Sequence, residues 1–70
     1  MKLKVDEQAD ALYLTLGEAH AAQSDEVAPG IIVDYDAEGR AAWIEFLELS
    51  KRAAPIDLRQ FLFESVPMAA

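Results

Sequence analysis

Apolar and polar residues alternate along most of the first fifty positions, and a period of two predicts strands rather than helices. Leu3 and Val5 alternate with Lys2, Lys4 and Asp6, as in a short strand with one face buried. A polar, turn-like stretch over 6–10 leads to residues 11–16. There Leu12, Leu14 and Leu16 point one way, Tyr13 and Thr15 the other, and Gly17 closes the run. These two segments read as an antiparallel hairpin with a tight, acidic turn. Residues 18–23, rich in alanine and holding the single histidine His20, read as loop or a frayed helical turn. Residues 24–27 read as an edge strand, because charges along an edge discourage pairing with another chain. Pro29 and Gly30 then punctuate the chain.

The strongest signal lies between Gly30 and Leu49. Apolar runs over 31–35 and 41–47 flank a turn over 36–39 that ends in Gly39, the signature of a β-hairpin. A loop over 36–39 or over 38–39 gives the same two faces. Ile31, Val33 and Tyr35 share one side with Ala42, Ile44 and Phe46, and this apolar set is the expected core face. The other side carries Ile32, Asp34, Ala41, Trp43, Glu45 and Leu47. Ile32, Trp43 and Leu47 make it too apolar for a solvent face, which would be polar throughout. A C-terminal helix or a second copy of the chain is expected to cover it.

That helix is predicted over about 55–66, after a connector over 50–54. Pro55 suits the first helical position and Asp57 the positive end of the helix dipole. Leu58, Phe61 and Leu62 form an apolar stripe, and Ile56 and Phe63 lie on another side. Pro67 ends the segment. The expected architecture is one α+β domain over 1–70: a small antiparallel sheet of four or five strands in β-meander order, followed by one C-terminal α-helix.

Composition alters this picture in two ways. Seventy residues without a cysteine sit near the lower limit for a self-sufficient core. A homodimer is therefore expected, with Ile32, Trp43, Leu47, Ile56 and Phe63 at its interface. The net charge of −7, with six scattered basic residues, disfavours direct binding of nucleic acid and suits a basic protein partner. No run is long and apolar enough for a membrane span, and the N-terminus lacks the apolar core of a signal peptide. The expectation is a soluble cytoplasmic protein.

Candidate chemistry is sparse. Asp34 and Glu45 project from one face of the hairpin and could hold a divalent cation or divide acid and base roles. A metal or catalytic site wants further ligands, however, and His20 lies in a loose segment. The simpler reading is a polar stripe, with either acid bonded to backbone or to Arg40. Ser24 and Ser50 have no evident base, and the three dispersed glycines make no phosphate-cradling loop. No catalytic residue, metal ligand or cofactor is assigned. The leading reading is a non-enzymatic interaction module. A small hydrolase or metal-dependent enzyme using Asp34 and Glu45 is the alternative, and a purely structural or regulatory dimer a third.

Several phrases fall into a known order: Asp10-Ala-Leu-Tyr-Leu, Ser24-Asp-Glu-Val, residues 30–39 as GIIVDYDAEG, Ile44-Glu-Phe-Leu and Ser50-Lys-Arg. Together they resemble the DUF2283 family of small bacterial and archaeal proteins, over about residues 3–52. Trp43 stands where that pattern usually has glycine, Phe46 replaces an isoleucine, and the segment from Pro55 lies outside the motif. The resemblance implies a compact antiparallel β-meander, often with a terminal helix, and no established activity. Some members are encoded beside small basic proteins that look like ribonuclease toxins, so it also implies an antitoxin-like role.

Overall fold

The structure is a computed structural model that describes residues 1–52 and 56–69. The alternating runs form β1 (Lys2–Asp6), β2 (Ala11–Thr15), β3 (Gln23–Ala28), β4 (Ile31–Tyr35) and β5 (Ala41–Phe46). All pairings are antiparallel, and the strands make one sheet in the order β1-β2-β5-β4-β3. The expected hairpins β1–β2 and β4–β5 are present, and β3 is an edge strand.

The meander order is not. The chain leaves β2 inside the sheet and passes β5 and β4 before starting β3 at the far edge. Backbone bonds tether the crossing at both ends, from Leu16 N–H to the Ala42 carbonyl at 2.9 Å and from Ala22 N–H to the Tyr35 carbonyl at 2.7 Å. Side-chain chemistry accounts for the order. β2 carries no charge, so an interior position suits it, and pairing with β5 sets Leu12 against Phe46 and Leu14 against Ile44. The charged β3 would have offered it Asp25 and Glu26 instead.

The registers connect into two apolar rows that cross all five strands on one face. One runs Leu3, Leu14, Ile44, Val33, Asp25; the other runs Val5, Leu12, Phe46, Ile31, Ala28. Of the expected core face, Ile31, Val33, Ile44 and Phe46 lie in these rows, joined by Leu3, Val5, Leu12 and Leu14. Among the described residues only Ala11 and Ala42 are buried hydrophobics, and no large side chain is fully buried. Leu12, Leu14, Ile31, Val33, Ile44 and Phe46 are half-buried. The molecule is a slab of 38 × 37 × 19 Å, and the described residues form no second layer of secondary structure.

The C-terminal helix is absent, which corrects the α+β expectation: the described chain is all-β apart from one 3-10 turn, Leu49–Lys51. Pro55 lies outside the described residues. Residues 56–69 are irregular. Asp57 supplies the local reason, since its carboxylate accepts the Arg59 N–H at 2.9 Å and its carbonyl the Gln60 N–H at 3.1 Å. Aspartate competes with helical bonding through such turns. The segment runs beside the β1–β2 half of the apolar face, where Ile56, Leu58 and Phe61 meet Val5, Leu12 and Leu49 around a hollow of about 140 Å³. Arg59 Nε donates to Glu7 Oε1 at 2.9 Å and pins it there.

Two aspartates hold the ends of the sheet. Asp36 accepts the N–H groups of Glu38 and Arg40, each at 2.9 Å, and closes the β4–β5 turn, where Gly39 takes φ +80°. Those backbone donors, led by Arg40 N–H, hold its carboxyl below the ordinary aspartate value, with the Arg40 guanidinium adding to the effect. Asp10, at φ +55°, accepts Ser50 N–H at 2.9 Å and Ser50 Oγ–H at 2.7 Å, while its carbonyl accepts Leu49 N–H at 2.8 Å. The 3-10 turn is thus capped by a residue forty positions earlier.

Candidate functional site

The opposite face carries the charged chemistry. Its two rows run Lys4, Tyr13, Glu45, Ile32, Glu26 and Lys2, Thr15, Trp43, Asp34, Ser24. Basic side chains therefore stand at the β1 edge, aromatic ones beside the centre and acidic ones toward β3. Lys4 Nζ lies 5.8 Å from the Tyr13 ring centroid, within cation–π range. Lys2, Lys4, Tyr13, Thr15, Trp43 and Glu45 line an open hollow of about 280 Å³.

Asp34 and Glu45 do share this face, as expected, and they are diagonal neighbours: Asp34 is registered with Trp43, Glu45 with Ile32. Asp34 is the buried acid, 6 % exposed. Its Oδ1 accepts the hydroxyl of Ser24, its registered neighbour on β3. Neither acid bonds Arg40, which pairs with Asp36 and Glu38. Burial pushes the Glu45 carboxyl above its ordinary value, and the charge and hydrogen-bonding contact of Asp34 push the same way.

A raised carboxyl pKa means that the folded chain binds the proton more tightly than the unfolded one. Ionised Glu45 therefore weakens the fold at neutral pH. The penalty disappears as pH falls through its folded value to the ordinary glutamate value. Glu45→Gln is expected to raise the melting temperature at pH 7, with the gain vanishing in that acidic window. Parallel melts of the two proteins from pH 7 to 3.5 check this, and a gain independent of pH would remove the assignment.

Of the residues expected at an interface, Trp43 (40 % exposed) and half-buried Ile32 stand on this polar face. Leu47 follows β5, and its N–H donates to the Gly30 carbonyl at 2.8 Å. Ile56 and Phe63 belong to the C-terminal segment beside the apolar face, so the set is divided between the two sides of the sheet. His20 is exposed, near Asp36, Glu38 and Arg40 beside the β4–β5 turn. Among the described residues, no group of three or more His, Cys, Asp or Glu is placed to hold a metal ion. No described helix is long and apolar enough to cross a membrane.

The Ser24–Asp34 contact was missed from the sequence. Its signal was the register of a β3–β4 hairpin whose β3 is bulged between Glu26 and Ala28.

The fold and its two faces define a small single-sheet β-protein, with one apolar side and one side graded from basic to acidic. The chain belongs to DUF2283, a family described as proteins of unknown function, whose model matches residues 2–50. No curated protein and no solved structure matches it.

Proposed function

We propose that the chain is a non-enzymatic protein-interaction module that presents an acidic surface to a basic protein partner. The observation that carries this reading is the division of charge between the two faces. On the strands, the apolar face bears one charged side chain, Asp25 at its rim. Glu26 and Glu48 are exposed around the sheet, and they give the net charge of −7 accessible places to act. Such a surface steers a basic partner and selects against acidic ones more than it adds affinity.

Co-expression with the product of the neighbouring gene, where that product is basic, tests the reading. The tagged chain is expected to retain it at low salt. The double change Glu26→Lys and Glu48→Lys is expected to weaken retention at least about tenfold, the scale of a tested charge pair. Recovery of the chain alone, or binding indifferent to the charge reversal, would remove the proposal.

A second reading draws support from one observation: Glu45, its pKa raised, sits beside the buried Asp34 at the edge of an open hollow, as acid–base groups often do. It needs a substrate that reaches this pair. The basic-partner reading needs only the exposed acids.

A further inference from the structure

The apolar face is the largest unfinished feature of the molecule. A compact chain of 7.7 kDa exposes about 4,300 Å², whereas this one exposes 5794 Å². Its radius of gyration is 13.8 Å, against about 11 Å for a compact domain of this length. The surplus, roughly 1,500 Å² by that comparison, exceeds the roughly 800 Å² that each partner contributes to a stable interface.

The chain's own C-terminal segment does not remove this surplus. It runs beside the β1–β2 half of the face and leaves an apolar trough of about 390 Å³ among Met1, Leu3, Leu14, Phe61 and Phe63. It also brings apolar surface of its own, with Leu62 87 %, Phe63 75 % and Val66 84 % exposed. Part of the excess area is therefore the segment itself, and the rest is the sheet.

We propose that two copies of this chain pair through the apolar rows, sheet against sheet, to form a two-layer β-sandwich. The rows have the alternation that sandwich cores use, with inner faces about 10 Å apart. β5 is the middle strand, so Ile44 and Phe46 stand at the centre, with Val33 and Ile31 on the open side and, on the other, Leu14 and Leu12 beside the C-terminal segment, which joins the seam. A two-fold pairing uses the same patch on both subunits, and this patch is nearly free of charge. Two strongly acidic chains can therefore meet there, because Asp34, Glu45 and Glu26 face outward on the other side. The pairing rests on reading the chain as an interaction module. It moves self-association to the face opposite Ile32 and Trp43 and keeps Ile56 and Phe63 near the seam.

Sedimentation equilibrium of the full chain over 1–200 µM is expected to give twice the chain mass, and the melting temperature is expected to rise with concentration. Ile44→Asp is expected to raise the dissociation constant at least about 30-fold, as for a central interface residue. A charge at Ile44 also strains the fold, so the unaltered protein supplies a second measurement. In a mixture of isotope-labelled and unlabelled chains, intermolecular NOEs are expected from Ile44 and Phe46. A single-chain mass at every concentration with a constant melting temperature would overturn the pairing, as would intermolecular NOEs confined to Ile32 and Trp43. A dimer that fails to retain a basic partner supports the pairing and removes only the proposed function. A monomer that still retains one removes only the pairing.

Discussion

Phe46→Ala is expected to lower unfolding stability by about 3 kcal/mol in urea titrations, the lower end of the range for deleting a core phenylalanine. For a chain of this length that corresponds to more than about 10 °C in melting temperature. Phe46 lies on the central strand between Leu12 and Ile31. It is only half-buried within one chain, and loss of a half-exposed ring from a lone sheet would cost clearly less. Phe61→Ala is the internal control. That ring is 59 % exposed in the C-terminal segment, and its loss is expected to cost under about 1 kcal/mol, as for a surface position. A Phe46→Ala cost as small as that of Phe61→Ala would mean that the apolar rows are not a core, whether within one chain or between two.

Gly30→Ala is expected to cost about 2 kcal/mol, through two separable effects. Gly30 has φ +72°, a left-handed conformation that a Cβ disfavours by about 1 kcal/mol or more. A Cβ there would also fall on the Arg52 guanidinium. That guanidinium ties the β3–β4 turn to the end of β5, donating from Nε to the Leu47 carbonyl at 2.9 Å and from Nη2 to the Pro29 carbonyl at 2.7 Å. Arg52 is flexible and exposed and can move aside, but moving breaks both bonds, each worth about 1 kcal/mol or less at the surface. Arg52→Ala alone is expected to cost less than Gly30→Ala. The double variant should fall short of the sum, because those bonds are lost only once. Additive costs in urea titrations would show that the arginine and the turn act independently.

Local pattern was enough to find the strands and their faces. In Ile31–Tyr35 and Ala41–Phe46, β-branched and aromatic residues alternate with a turn between them, so the hairpin and its core face follow from spacing alone. The shared face of Asp34 and Glu45 was legible for the same reason. Strand order was not, because no local signal tells β2 to pair with β5 rather than β3. That choice depends on Leu12 and Leu14 finding Phe46 and Ile44 some thirty residues away. The helix misreading has a different origin. Leu58, Phe61 and Leu62 fit a helical stripe, yet Phe61 and Phe63 also fit an alternating extended segment, and short apolar runs leave the two ambiguous. Asp57 tips the balance by closing a turn on itself. The Asp10–Ser50 cap and the Ser24–Asp34 bond join residues that become neighbours only once the register is set.

The strand order also sets the entropic cost of closing each ladder. Three of the four ladders close across turns of a few residues, whereas the β2–β5 ladder must bring Thr15 to Trp43. Closing that loop in an otherwise open chain costs about 2 kcal/mol more than closing a four-residue turn, by the logarithmic growth of loop entropy. Once β3, β4 and β5 have zipped together, only the segment from Leu16 to Ala22 remains to be restrained. By this entropic argument the route of lowest cost docks the β1–β2 hairpin last, onto a ready-made ribbon, and the two apolar rows become continuous in that step.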